Sequence, residues 1–524
     1  MTALETVRNA IKMEHITKRF GNVVANHDIN LVLHKGEILS LLGENGSGKT
    51  TLMNMLSGIY YSDEGQIYVN DQPVTISSPK DAFDLGIGMI HQHFKLVDVF
   101  TATENIVLGL EDEGRMDLKK ASQKITEICE KYGFEIDLNR KIYEMSVSQK
   151  QTVEIIKVLY RGADILILDE PTAVLTPQET DKLFTVMRNM KADGKSLIII
   201  THKLHEVLEV SDRVAVLRKG EYIGDVMTKD ASQQSLTDMM VGRSVSLNIS
   251  RPEPVNVTPR LAVEGLTVYD ELGVKRLSDV SFTVNAGEIL GVAGVAGSGQ
   301  RELLEAISGL YPIAEGSIRF YEPEKDGGNP GAAQKGRELV GLDPMAIRKC
   351  GVSMAFVPED RLGMGLVGSM GMTGNMMLRS WRKGKGIFLN RREPEDLANR
   401  IWKELEVVTP STAFPVRRMS GGNVQKVLVG REIAQDPAVL MTAYAVRGLD
   451  INTSYTIYNL LTEEKMKGVA VVYVGEDLDV LLELCDRILV LCGGQVSGIV
   501  DGRTADKRQV GTLMTRVGGG SADE

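Results

Sequence analysis

Residues 43–51 read GENGSGKTT, a G-x-x-x-x-G-K-[ST] run lying directly after an apolar stretch and opening a helix-like one. Glycines at such spacing let backbone N–H groups crowd around phosphate oxygens. In that chemistry Lys49 brings a cation to the β- and γ-phosphates and Thr50 a hydroxyl to Mg²⁺. Gly43, Glu44, Asn45, Gly46, Ser47, Gly48 and Thr51 complete the cradle. Further on, four hydrophobic residues lead into Asp169-Glu170-Pro171-Thr172, which puts two carboxylates at a strand end where a metal-bound triphosphate would sit. Asp169 is expected to hold Mg²⁺ through water. Glu170 is expected to polarise the attacking water as general base, a role worth about 10²–10⁴-fold.

Residues placed this way need strands to carry them. The runs EILSLL (37–42), ILILD (165–169), SLIII (196–200) and RVAVL (213–217) have the β-branched and leucine-rich character of buried parallel strands. Strand, Gly-rich turn and helix at 37–57 predict an α/β core with its chemistry at the carboxyl ends of the strands. The arrangement occurs twice. Gly36-Glu37-Ile38 returns as Gly287-Glu288-Ile289, 251 residues on, and MSVSQKQTVEI at 145 pairs with MSGGNVQKVLV at 419, 274 residues on. Two halves of one fold are expected, 1–250 and 251–524, the second about 23 residues longer. The segment 321–338 (YEPEKDGGNPGAAQKGRE) is rich in Gly, Pro and charge and reads as a surface loop insertion. Residues 245–261, with three prolines, read as an extended linker, and the small polar tail 518–524 as a mobile end.

Composition narrows the function classes. With 524 residues, 43% apolar and 25% charged, the chain can bury several cores and is neither disordered nor fibrous. Its net charge of −10 gives no general attraction to nucleic acid or anionic lipid. Mean hydropathy is −0.07, and no stretch of about 18 apolar residues is present to span a bilayer. The first twenty residues mix charges throughout, without the apolar core of a signal peptide, so a cytoplasmic chain is expected. Cys129, Cys350, Cys485 and Cys492 are too few and too irregularly spaced for a disulfide framework or metal cluster, and read as buried thiols.

These motifs resemble the ATP-binding subunits of ABC transporters over almost the whole chain. The resemblance implies tandem P-loop nucleotide-binding domains, each with a RecA-like α/β core, an antiparallel β subdomain and a helical subdomain carrying a signature. It implies further roles: Phe20 stacks on adenine, Gln92 joins Thr50 and Asp169 at the metal and links nucleotide to a membrane partner, and His202 contacts the γ-phosphate. In that family two such domains pair head to tail, so each ATP lies between the phosphate loop of one and the signature of the other. A signature serine and glycine amides at a helix N-terminus then meet the γ-phosphate from the opposite side.

Under that pairing the two halves are unequal. The second phosphate loop, GVAGSGQRE (294–302), has Gly294, Gly297, Ser298 and Gly299 in register, but Gln300 replaces the lysine and Arg301 the hydroxyl. Ala443 and Tyr444 stand for Asp169 and Glu170, Glu476 for His202 and Glu359 for Gln92. Yet its signature, Ser420-Gly421-Gly422-Asn423, is intact in type. The first half is the reverse: complete hydrolytic residues and a signature, Ser146-Val147-Ser148-Gln149, in which side chains replace both glycines. The good parts therefore combine crosswise into one site, Lys49 with Ser420, and the poor parts into another, Gln300 with Ser146.

Within the family, VPEDRLGMGLV (357–367), SGGNVQKV (420–427), RGLD (447–450) and HQHFKLVDVFTATENIVLG (91–109) resemble importers of simple sugars and, more closely, of purine nucleosides. Ser148 and Ala445-Val446 depart from that group's usual glycine and Pro-Thr. The resemblance implies two transmembrane permeases, an extracytoplasmic substrate-binding lipoprotein, pairing of the two halves in cis, no nucleic acid, and a peripheral place on the cytoplasmic face of the membrane. A tandem ATPase acting on ribosomes or DNA would bring basic arms or metal-binding inserts, which are not apparent.

Overall fold

The computed structural model describes all residues except 1–7, 22, 92–93, 111–116, 174, 202, 243–248, 255–256, 323–335, 351–360, 382–388 and 516–524. The chain forms two compact units, Met1–Ser246 and Leu247–Glu524.

In the first unit a six-stranded sheet runs in the order Glu221–Met227, Arg213–Arg218, Ile38–Leu42, Ser196–Ile200, Ile165–Asp169, Ile87–Ile90. Its pairings are parallel except for the edge hairpin of the first two. All five residues of Ile38–Leu42, Ile165–Asp169 and Ser196–Ile200 are buried, because helices cover both faces. A separate antiparallel sheet holds Val23–His34, Asn9–Phe20, Glu64–Val69 and Gln72–Val74. Helices Ala102–Val107, Leu118–Tyr132 and Val147–Tyr160 close around a satellite core that includes Ile106, Ile125 and Val153.

The second unit repeats this plan. Among the described residues its main sheet has five strands, Val439–Ala443, Ala470–Val474, Ile289–Ala293, Arg487–Cys492 and Gln495–Asp501, beside an antiparallel sheet of Lys275–Asn285, Pro259–Tyr269, Glu315–Phe320 and Arg337–Glu338. Buried polar contacts recur with the fold. Arg213 Nε donates to Glu37 at 2.8 Å, and Arg487 Nη2 to Glu288 at 2.6 Å. Asn105 Oδ1 accepts from Val97 N at 2.7 Å, and Asn375 Oδ1 from Val367 N at 2.8 Å. Each pair satisfies backbone or carboxylate groups that burial would otherwise leave unmatched.

Two expectations are adjusted. The stretch 321–338 is not all loop: Arg337–Glu338 adds an edge strand against Arg319 and Phe320, and the Glu338 carboxylate accepts from Ile318 N at 2.8 Å. Most of the remaining insertion, and the tail 518–524, lie outside the described residues. The linker is likewise shorter than read, since Pro259–Leu261 already belong to a strand. The four cysteines are free thiols, three of them buried and Cys129 half-buried.

Candidate functional site

Phosphate chemistry in the first unit starts where strand Ile38–Leu42 gives way to helix Lys49–Leu56. Gly48, the residue before that helix, sits at φ 95°, and a Cβ there would lie 2.5 Å from Ala25 O; only glycine fits. A Cβ on Gly43 would strike Leu217 O at 2.3 Å and Ser47 Oγ at 2.5 Å. Asn45, Gly46 and Thr50 are exposed, and Glu44 and Thr51 half-buried. Lys49 is buried, its Nζ donating to Gly43 O at 2.7 Å and Glu44 O at 3.0 Å. Burial pulls its ammonium below the ordinary lysine range, while the Glu170 and Asp169 carboxylates pull it back up.

The strand Ile165–Asp169 brings the carboxylates to this loop. Thr50 Oγ1 donates to Asp169 Oδ2 at 3.4 Å, so the two residues expected at the metal share one corner. Asp169 is pushed up to about 6, first by burial and then by the neighbouring Glu170 charge. Glu170 adopts φ 51° and its N–H is held by Ile200 O at 2.8 Å. A left-handed glutamate is costly, which makes its position a fixed one. The loop suits a polyphosphate: the Ser47 hydroxyl is buried without a partner in the described structure, beside the amides of a helix N-terminus. Thr50 and Asp169 supply the hard oxygen donors that Mg²⁺ prefers.

Phe20 is 43% exposed at the end of its strand, edge-on to Tyr60 at 5.2 Å and beneath Lys18 Nζ at 5.5 Å. Its ring is thus partly exposed to solvent. Gln92 and His202, and with them Glu359 in the second unit, lie outside the described residues.

The second unit keeps the frame and changes the chemistry. Gly297 and Gly299 sit at φ 86° and 99°, and a Cβ on Gly294 would meet Gln300 Nε2 at 2.5 Å. Ser298 Oγ, like Ser47 Oγ, is buried without a partner in the described structure. Gln300 donates to Val295 O at 3.3 Å and carries no charge, while Arg301 turns to Glu305, 2.7 Å away. Tyr444 repeats the backbone of Glu170, at φ 52° with its N–H on Val474 O at 2.9 Å. Glu476, which matches His202 in the sequence repeat, is paired with Arg447 at 3.3 Å.

The two signatures differ in how their helices begin. Ser146 caps Val147–Tyr160: its Oγ accepts from Gln149 N at 3.3 Å, and Gln149 Oε1 accepts from Ser146 N at 3.0 Å. Ser420 precedes Gly421–Ile433 without any side-chain cap; its Oγ accepts from Asn423 Nδ2 at 2.8 Å. The first turn of the second helix therefore presents amides that no side chain of its cap engages.

Sequence reasoning missed Gln151, a buried side chain whose Nε2 donates to Pro171 O at 2.7 Å and ties the signature helix to the loop carrying Glu170. Its repeat partner, Gln425, is fully buried with both amide atoms unpartnered in the described structure. Aligning the two signature helices would have singled out the pair. Lys203, the residue after His202, was missed too; it donates to Thr172 O at 3.0 Å.

A phosphate loop and a signature helix, built twice over one α/β plan, with a strand-end acidic pair in the first unit, define a tandem nucleotide-binding ATPase. The chain belongs to the ABC transporter family, whose profile matches residues 26–173 and 277–442. It is 42% identical to the nucleoside import ATP-binding protein NupA of Lactococcus lactis over the full length of both chains. It is also 42% identical to the guanosine import ATP-binding protein NupO of Bacillus subtilis, with 96% of this chain and 97% of that one aligned. The glucose import ATP-binding protein TsgD13 of Haloferax volcanii is 39% identical, over 98% and 96%. Among solved structures, an ATP-binding cassette of an ABC transporter in its ADP conformation aligns with 44% of this chain and 95% of its own, at 25% identity and a TM-score of 0.40.

Proposed function

We propose that this chain is the ATPase of a nucleoside importer, cleaving ATP at one shared site built from the Lys49 loop and the Ser420 signature. The observation that carries this reading is the crosswise division of working parts: Lys49, Thr50, Asp169 and Glu170 in one unit, Ser420-Gly421-Gly422 in the other. Decay of a spare domain accounts for Ala443 and Tyr444, and leaves the uncapped signature of that same half unexplained.

In the reading, the 43–51 amides and Lys49 hold the β- and γ-phosphates, and Phe20 stacks on the base. Thr50 and Asp169, with Gln92, would hold Mg²⁺, which would supply screening of the phosphate charge. Glu170 takes a proton from the attacking water, and Ser420 with the amides of its helix neutralises charge on the far side of the γ-phosphate. The Gln300 and Ser146 surfaces bind nucleotide with little turnover, since Gln300 lacks charge and Tyr444 is no base at neutral pH. Two permeases and a substrate-binding protein complete the importer, with this chain peripheral at the cytoplasmic face. Among the described residues no helix is long and apolar enough to cross a membrane.

The full-length match to two nucleoside importers supports the cargo class; the 39% identity to a glucose importer supports a simple sugar as second reading. Two experiments test the proposal. Glu170→Gln should cut ATP turnover at least about 10²-fold and Tyr444→Phe should leave it nearly intact; equal losses contradict the assignment. A deletion strain should lose uptake of labelled guanosine and keep that of ribose, and the opposite pattern would move the cargo to a sugar.

A further inference from the structure

Beyond Glu170 the chain runs through Pro171 and Thr172, and each of these is held from a different element. Gln151 Nε2 donates to Pro171 O at 2.7 Å, and Lys203 Nζ to Thr172 O at 3.0 Å. Thr172 Oγ1 donates to Glu206 Oε2 at 2.5 Å, and Lys203 Nζ lies 3.1 Å from Glu206 Oε1. Thr172 and Glu206 are buried and Lys203 is half-buried. One cation, one carboxylate and one hydroxyl thus close on one another, with the two charges matched. Only Pro171, whose ring fixes φ, separates Thr172 from Glu170, so a shift at Thr172 is passed on to Glu170.

Stability alone does not account for this trio. Lys203 is the N-cap of helix Leu204–Val210 and makes no capping bond, at a position that favours Asp, Asn, Ser or Thr and a helix end that disfavours cations. Glu206, in the first turn, suits that end, yet its carboxylate is 4% exposed and carries a desolvation cost that an apolar residue avoids. The second unit shows the less costly solution. Strands Ile165–Asp169 and Ser196–Ile200 and helix Leu204–Val210 recur as Val439–Ala443, Ala470–Val474 and Leu478–Leu484, each 274 residues on. At that offset Thr172, Lys203 and Glu206 become Val446, Asp477 and Val480. Both valines pack on the core, and Asp477 caps its helix, accepting from Asp479 N at 3.0 Å. The turn itself survives, since Tyr444 keeps the φ of Glu170 and the same backbone bond to the neighbouring strand. The fold therefore does not need the trio, and the half that has it is the half with a glutamate on that turn.

We propose that Lys203 and Glu206 are positioning residues for ATP hydrolysis: joined through Thr172, they fix the Glu170–Thr172 loop so that the Glu170 carboxylate keeps its place toward the attacking water. The inference rests on Glu170 acting as the base, as proposed above. A base tolerates little displacement, since misplacement by about 1 Å can cost 10²-fold.

The test puts the second unit's residues into the full-length chain, combining Thr172→Val, Lys203→Asp and Glu206→Val, a set that the repeat already folds with. In this triple variant kcat should fall about 10–100-fold with KM for ATP within about twofold, and ATP affinity measured in a Glu170→Gln background should be unchanged. Thr172→Val alone should lose turnover, and Thr172→Ser, which keeps the hydroxyl, should retain most of it. In the Glu170→Gln background the triple variant should lower the residual turnover no further, because it acts through the carboxylate already removed. Native kcat in both the triple variant and Thr172→Val, with Glu170→Gln inactive, would overturn this inference and leave Glu170 as the base. An equal factor lost with and without Glu170, or a kcat loss matched by lost ATP affinity, would make the trio a strut of the nucleotide site and overturn it as well. If Glu170→Gln itself turns over normally, the base reading fails first and this inference with it.

Discussion

Asp169 is 8% exposed, next to Glu170 and only partly compensated by Lys49 and Thr50, and its carboxyl is pushed up to about 6. In the unfolded chain the same group would titrate near the ordinary 3.8, so the unfolded state loses its proton first as pH rises. The stability this group gives is therefore present below pH 4 and lost by the time pH passes about 6, an effect on the order of 3 kcal/mol. A site built to meet a cation and a polyphosphate carries this cost without them. Asp169→Asn should consequently raise Tm relative to the native chain in EDTA without nucleotide, the gap widening from about pH 4 to about pH 6 and flat above. A gap independent of pH would show that the charge is already compensated. Residue identities here were readable from sequence, since Lys49, Thr50 and Asp169 stand in a fixed spacing. The strained backbone that Glu170 shares with Tyr444, at φ 51° and 52°, was not, because nothing in either side chain demands it.

At the scale of elements, the same spacing served two purposes, and sequence revealed only one. Ser146-Val147-Ser148-Gln149 reads as a spoiled signature, yet S-x-x-Q is also a capping box, and in the structure it is one. Ser420-Gly421-Gly422-Asn423 has no such closure. The two serines should therefore respond differently to loss of the hydroxyl. Ser146→Ala should cost about 1 kcal/mol of stability, seen as a lowered midpoint in thermal or urea unfolding. Ser420→Ala should leave the midpoint near native, because no amide of the helix uses its oxygen, and should lower ATP turnover under the proposed shared site. Equal losses of stability would remove this distinction. The Gln151 contact with Pro171 O belongs to the same scale: a buried glutamine announces itself poorly, since its partner is a backbone carbonyl 20 residues away.

Across the whole molecule, the duplication was the most legible feature, because both copies had to keep the residues that build the sheet and the turn. Asp212 and Asp486 each accept from the first strand residue of the central strand, Ile38 N and Ile289 N, both at 2.9 Å. What sequence hid was attachment over long separations. Arg251, in a stretch read as plain linker, donates to Leu482 O, Cys485 O and Gly502 O at 2.7, 2.8 and 3.0 Å, carbonyls more than 200 residues away. Buried Lys465 donates to Pro252 O at 2.7 Å. The second unit has thus kept its buried polar frame while Gln300, Arg301 and Tyr444 stand where the first has its charge, hydroxyl and base, a pattern that fits the proposed nucleotide binding with little turnover. Such a division has a countable consequence. Rapid separation of the chain from MgATP after several turnovers should recover two nucleotides per chain, one as ADP at the Lys49 loop and one as intact ATP at the Gln300 loop. A photoreactive ATP analogue should correspondingly label peptides of both units. Two ADP per chain would mean that the Gln300 loop hydrolyses, and a single nucleotide would mean that it does not bind; either result breaks the proposed division of labour.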